Sequence, residues 1–161
     1  MRRVLILLAI LALALPASAL AATPAALNDA DGTLAIKNGT ATQIVIRGTG
    51  AIVGHFDYGR MWFSDPNLED GTGPLVKGAD DVTYISDTKT YFEGFDVKFR
   101  SIGGRYRIVL RDVSGLSLSA VGSGRVWLGG LGGGPDGSFS LDGAPFHSLP
   151  DKYTGPFSFG L

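Results

Sequence analysis

The sequence predicts an all-β protein, either an internally duplicated β-sandwich or a small β-barrel, with about nine or ten short antiparallel strands. After residue 30 no stretch keeps a helical apolar period, whereas short runs of Val, Ile, Thr and aromatic residues alternate with glycine turns. Glycine supplies 24 of the 161 residues, which suits a chain with many turns. A block of sequence also recurs about 65 residues further on.

The chain begins with the features of a secretory signal peptide. Arg2 and Arg3 precede an unbroken apolar run, Val4 to Leu15, which is too short to span a bilayer. Small residues follow and offer cleavage sites between Ala19 and Ala22. We therefore expect a protein that is secreted, periplasmic or attached to the cell envelope, with no transmembrane segment in the mature chain.

The remainder reads as one domain with a C-terminal tail. Its length is sufficient to bury a hydrophobic core. The tail contains three Phe and three Pro, and we expect it to pack on the domain because exposed Phe is costly in water. The predicted division is a signal peptide over 1–21, a linker over 22–31, a single all-β domain over 32–143 built from two pseudo-repeats at about 33–65 and 97–129, and the tail over 144–161.

Short apolar runs between turn residues define the individual strands. The expected strands are 33–37, 43–47, 51–56, 60–65, 82–86, 90–93, 116–121, 125–128 and 138–141, together with the two arms of a hairpin over 96–111. Asn38-Gly39 follows the first strand, but a two-residue turn there pairs Leu34 with Gln43, which makes a poor core. A bulge or a longer loop is the better interpretation of this site.

The hairpin over 96–111 is the clearest local prediction. Gly103-Gly104 suits a two-residue turn, which places Arg100 opposite Arg107. Alternation then puts apolar side chains on one face and basic side chains on the other.

A repeat explains how the strands pack. Ile44–Arg47 recurs as Ile108–Arg111, and Gly59–Phe63 recurs as Gly124–Leu128. Each repeat contains a predicted tight turn, at 58–59 and 123–124, followed by a strand that is apolar on both faces. One unit cannot cover such a strand alone, so we expect two units to pack together, with the equivalent Trp62 and Trp127 in the core.

The composition limits the chemistry that the chain can perform. The absence of Cys excludes a disulfide framework and a thiolate zinc site, and two His are few for a His-rich metal site. Without Arg2 and Arg3 the chain holds 12 basic and 15 acidic residues, a net charge of −3. That balance argues against nucleic acid as the main partner.

The basic face of the predicted hairpin is one candidate binding site. It consists of Lys98, Arg100, Arg105 and Arg107. Such a cluster suits an acidic envelope polymer or another envelope protein. The alternative is a solvated face that is neutralised by an adjacent strand, for instance through Glu93 or Asp87.

An acidic loop is the candidate metal site. Asp65, Asn67, Glu69 and Asp70 offer the hard oxygen ligands that calcium prefers. The alternative is a solvated turn in which Asp65 caps the loop. No other cofactor is expected.

No spacing of residues singles out a catalytic group. We therefore expect a non-catalytic binding or structural module. The alternative is a small hydrolase that acts on extracellular glycans with carboxylates of segment 57–70, because glycosidases use two facing carboxylates.

The chain resembles a family of small secreted bacterial all-β proteins over segments 32–65 and 96–129. The shared motifs are Gly48–Ala51, Phe56–Arg60, Asp65–Asn67 and Ile102–Arg107. The resemblance implies an exported all-β protein. No activity is attached to that family, so it implies no site residue.

Overall fold

The computed structural model describes residues 32–67, 73–132 and 136–161, so the predicted signal peptide and linker lie outside the described residues. The described part is all-β and antiparallel. Its strands are β1 (Gly32–Ser64), β2 (Leu75–Ser86), β3 (Lys89–Ser101), β4 (Arg105–Gly130), β5 (Ser138–Leu141), β6 (His147–Ser148) and β7 (Thr154–Phe159). In these three segments there is no helix with the length and apolarity needed to cross a membrane.

Two long strands, β1 with 33 residues and β4 with 26, form the centre of the sheet. The prediction of nine or ten short strands is wrong, because β1 joins four of the expected strands and β4 joins three. The expected turn residues lie inside these strands as irregularities. Asn38 (φ 50°) lies in a bulge between Ile36 and Ala41, as the poor core of a tight turn suggested, and Gly59 (φ 152°) lies in another.

A long coiled ribbon explains the topology. The second half of β1 runs antiparallel to β3, with Ser64 opposite Lys89. The first half of β1 runs antiparallel to the beginning of β4, as far as Thr33 opposite Val121. The remainder of β4, up to Gly130, pairs with the opposite edge of the first half of β1. The sheet order is β2-β3-β1-β4-β7, in which segments of β1 and β4 alternate in the order β1 50–64, β4 105–122, β1 32–49 and β4 123–130. The sheet does not close into a barrel.

Two glycines allow β1 and β4 to bend where they meet. Gly50 and Gly122 are paired and have φ of 122° and 133°. A Cβ on Gly50 would overlap the carbonyl of Val121, and one on Gly122 would overlap the carbonyl of Thr49. Only glycine satisfies both the backbone conformation and the close approach.

The core lies on the inner face of this coiled sheet. Alternate residues of β1, β3 and β4 point inward, as the period of two predicts. The largest fully buried side chains are Leu34, Ile36, Ile44, Ile46, Ile52, Phe56, Met61, Phe63, Ile108, Leu110, Leu116 and Phe159. Each contributes about 1.5–3 kcal/mol by leaving water.

The predicted hairpin over 96–111 does not form. β3 and β4 both pair with β1, which separates them, and Arg107 lies opposite Arg47 and Ser64 instead of Arg100. Residues 102–104 carry the chain past the bend in β1, where the Gly50 amide donates to the Gly104 carbonyl over 3.1 Å. The alternation of apolar and polar residues is compatible with either neighbouring strand, because it determines the face on which a side chain lies and not the strand that it pairs with.

The two repeats occupy related places in the sheet, although a duplication stays a prediction. Trp62 lies opposite Val109, and Trp127 lies opposite Val45, which the repeat equates with Val109. The expected turns at 58–59 and 123–124 are wrong, since both lie within long strands. Both Trp are half-buried on the outer face, so their expected place in the core is also wrong.

The C-terminal residues cover part of the sheet. β7 pairs with the end of β4, with Phe159 opposite Gly124, and the Phe159 side chain is fully buried. The ring of Phe157 packs against the core cluster. Phe146 is 42% exposed, and the Lys37 ammonium lies 4.2 Å from its ring centre.

Candidate functional site

The structure divides the predicted basic face into two parts. Lys98 and Arg100 lie on β3, whereas Arg105 and Arg107 lie on β4 beyond the intervening strand β1. All four side chains are exposed. The two parts line separate depressions, so they belong to different regions of the outer face.

Three arginines form a row on the outer face of the sheet. Arg47 of β1 lies between Arg107 and Arg125, which belong to the two β4 segments on either side of it. Neighbouring strands are about 4.8 Å apart, so the row spans about 10 Å. Sequence reasoning missed Arg47 and Arg125, although both lie inside the repeated blocks that it identified.

A second row, two residues further along, contains both tryptophans. In this row Trp62, Val109, Val45 and Trp127 lie side by side on neighbouring strand segments. The Arg47 guanidinium is 5.4 Å from the ring centre of Trp127, and that of Arg111 is 5.7 Å from the ring centre of Trp62. The rings therefore hold two of the arginines in place through cation–π contacts. We call this surface the arginine face: Arg47, Arg105, Arg107, Arg111, Arg125, Trp62 and Trp127.

The charges of this surface are largely uncompensated within the described residues. In segments 32–67, 73–132 and 136–161, no carboxylate lies within 4 Å of any arginine of the arginine face. Like charges on directly opposite residues destabilise a sheet by a few tenths of a kcal/mol. A bound anion would relieve the repulsion between Arg107, Arg47 and Arg125.

Two shallow depressions shape the arginine face. One has a volume of 600 Å³ and is lined by four of its arginines, Arg47, Arg105, Arg107 and Arg125. The other has a volume of 330 Å³, and Trp62 and Arg111 are among its lining residues. Both include Arg107, so a ligand longer than a single ion can contact both.

The acids that we considered as neutralising partners lie elsewhere. Glu93 accepts a hydrogen bond from Tyr91, and its strand position is opposite Arg60. Burial of Tyr91 and its contact with Glu93 raise the pKa of Tyr91 to about 12. Asp87 is exposed in the turn between β2 and β3 and makes no ion pair with a described residue.

On the other surface, Lys98 belongs to a group of charged side chains around His55. The Nζ of Lys98 is 3.4 Å from Oδ2 of Asp96, and the Nε2 of His55 is 3.0 Å from Oδ1 of Asp96. Oδ1 of Asp57 lies 3.5 Å from the same His55 nitrogen. Lys98, and then His55, hold the pKa of the Asp96 carboxyl below its usual value. Lys98 is therefore partly neutralised.

The candidate calcium loop is described only in part. Asp65 is buried, and its Oδ1 accepts the amide proton of Asn67 over 2.9 Å, which is the turn cap considered as the alternative. Glu69 and Asp70 lie outside the described residues. In the described segments no group of three or more metal-binding side chains comes together. The calcium site stays a prediction.

The two described carboxylates of segment 57–70, Asp57 and Asp65, do not come together. Asp57 and Asp65 both belong to the stretch formed by β1 and the residue that follows it. Eight residues of extended chain separate them by about 25 Å along the strand. Glycosidases place their two carboxyl groups about 5 to 10 Å apart, so this pair does not suit that reaction.

Comparisons with known proteins found no match, so a proposal for the function rests on the geometry described above. No family model matches the chain, and no curated protein and no solved structure is significantly similar to it.

Proposed function

We propose that the protein is a non-catalytic binding module, exported to the cell envelope or beyond, whose arginine face binds an acidic polymer. The observation that supports this function is the row Arg107, Arg47 and Arg125, which has no carboxylate partner among the described residues. Guanidinium groups bind carboxylate, sulfate and phosphate oxygens through paired hydrogen bonds.

The regularity of the surface and its two adjoining open depressions favour a polymer over a small ligand. The three arginines repeat at the strand spacing, and Arg105 and Arg111 extend the charged area along β4. Since the sheet fixes these spacings, a chain of repeating anions gains several contacts without reordering the protein.

Retention on immobilised polymers tests this proposal. The purified protein should bind polygalacturonate or dextran sulfate at low salt, and the affinity should fall steeply as salt rises, because exposed charges are screened. The double variant Arg47→Gln with Arg125→Gln should bind at least ~10-fold more weakly. Lys77→Gln with Arg100→Gln, which removes two exposed positive charges on β2 and β3, is the matched control and should bind normally.

Failure of the wild-type protein to bind either polymer at low salt would refute the polymer as the ligand. Equal losses in the control and in the double variant would show that net charge, and not the arginine face, governs retention. N-terminal sequencing of protein collected from the medium or the periplasm tests export, and we expect cleavage between Ala19 and Ala22.

The alternative of a carboxylate-dependent hydrolase has a direct test. If the wild-type protein releases reducing ends from a glycan and Asp57→Asn does not, the hydrolase is established. We favour the binding module because Asp57 and Asp65 are separated along the chain, whereas the arginines are adjacent.

A further inference from the structure

A groove lies on the outer face of the sheet, formed by β2, β3 and parts of β1 and β4. Its volume is 860 Å³, within the range of sites that bind small organic ligands. The basic side chains around it are Lys37, Lys77, Lys98 and Arg100, and the apolar side chains include Ala35, Val53 and Leu75. We call it the lysine groove.

Strand pairing explains why these side chains share one surface. Arg100 of β3 lies opposite Leu75 on one side and Val53 on the other. Two residues away, Lys98 lies opposite Lys77 and His55 in the same manner. One row therefore holds Arg100 between two aliphatic side chains, and the neighbouring row holds two lysines and His55.

The apolar part of the groove is open to solvent. Val53 is 56% exposed and Leu75 is 47% exposed, although both are aliphatic residues with strong preferences for burial. An acyl chain that covers them removes apolar surface from water, which favours binding.

The basic part carries free positive charge. Lys98 shares Asp96 with His55, but no described carboxylate lies within 4 Å of Lys37, Lys77 or Arg100. The groove therefore combines an exposed aliphatic surface with an excess of cations, and its complement is a molecule with an aliphatic chain and one anionic end.

We propose that the lysine groove binds a long-chain fatty acid, with its acyl chain on Val53 and Leu75 and its carboxylate among Lys77, Lys98 and Arg100. A sugar polymer suits it less well, since the aliphatic side chains offer no flat ring for a sugar to stack on. This site is separate from the arginine face and does not depend on the polymer proposed above.

A fluorescent fatty acid tests the proposal. The dansyl fluorescence of dansyl-labelled undecanoic acid, used below its micelle concentration, should rise on mixing with the purified protein. Palmitate should displace the probe, and methyl palmitate should displace it poorly because the ester lacks the charge.

Variants assign the binding to the groove. The double variant Lys77→Glu with Arg100→Glu should weaken probe binding at least ~10-fold, and Val53→Asp should weaken it several-fold. These side chains are exposed, so the variants should unfold at temperatures close to that of the wild type. Arg47→Gln with Arg125→Gln should leave probe binding unchanged.

Three results would overturn the proposal: no change in probe fluorescence, equal displacement by palmitate and its methyl ester, or unchanged binding in both groove variants. Displacement by dextran sulfate without displacement by palmitate would also overturn it, since the groove would then take a polyanion. A failure of polymer binding at the arginine face would leave the fatty-acid result unaffected.

Discussion

The buried hydroxyl of Tyr106 stands out among individual residues. The side chain is 3% exposed, and the hydroxyl has no hydrogen-bond partner among the described residues. Its ring centre lies 6.5 Å from that of Phe63, and a Cβ on Gly48 would come within 2.9 Å of the hydroxyl. Burial raises the pKa of Tyr106 to about 12. The hydroxyl therefore lowers stability through its lost hydration.

We expect Tyr106→Phe to be neutral or to stabilise the protein by about 1 kcal/mol at pH 7, because the unpaired hydroxyl is removed and the ring is kept. Above pH 10 the unfolded chain ionises this tyrosine while the folded chain retains its proton up to pH of about 12. Folding stability of the wild type should therefore fall from pH 10 to pH 12, and the variant should lose less. Urea unfolding at pH 7, 10 and 11 measures both effects.

A loss above ~1 kcal/mol in Tyr106→Phe at pH 7 would mean that the hydroxyl does have a partner in solution. The other tyrosines are present in both proteins, so the difference between the two pH profiles isolates the contribution of Tyr106.

At the scale of strands, local patterns predicted faces and did not predict neighbours. The alternation around Phe99 and Ile108 correctly assigned both side chains to the inner face. It also suggested that β3 and β4 pair, but β1 lies between them. A strand with one apolar face fits beside any antiparallel strand with the same pattern, so the pattern alone cannot choose.

The bend of the long strands leads to a prediction about Gly50. Gly50→Ala should destabilise the protein by more than ~2 kcal/mol, because the new Cβ combines an unfavourable φ with overlap of the Val121 carbonyl. Gly143→Ala is the matched control: Gly143 also has positive φ (72°), but a Cβ added there would have open space for 4 Å around it.

The control should therefore cost only about 1 kcal/mol, the strain of a left-handed Ala. Chemical denaturation of the two variants gives both values. Equal costs would show that close approach of the strands at Gly50 does not constrain the fold.

At the scale of the whole molecule, the sheet depends on contacts between distant parts of the chain. Thr33 pairs with Val121, and Gly124 pairs with Phe159. Each half of β1 is flanked by β4, so neither pseudo-repeat has a separate set of strand partners. The described chain should consequently unfold as one unit.

We expect a single cooperative transition and refolding in milliseconds to seconds, because distant pairings require large loops to close first. Trp62 and Trp127 allow a direct test, since they report on different segments of the sheet. Trp62→Phe and Trp127→Phe each leave one fluorophore, and stopped-flow refolding should yield the same single phase in both. Different refolding phases in the two variants would indicate two folding units. Denaturation midpoints that differ by more than the stability change of each variant explains would indicate the same.

The sequence by itself determined that the chain forms β-strands and which aliphatic side chains of the alternating segments face inward, because both follow from local propensity and a period of two. It also indicated that Lys98, Arg100, Arg105 and Arg107 are exposed. It misplaced Trp62 and Trp127, which lie on the outer face. Only the tertiary structure decided that Arg47 lies between Arg107 and Arg125, and that Lys98 and Arg100 border a different groove. The reason is that strand order depends on contacts between residues far apart in the chain, which no short sequence pattern encodes.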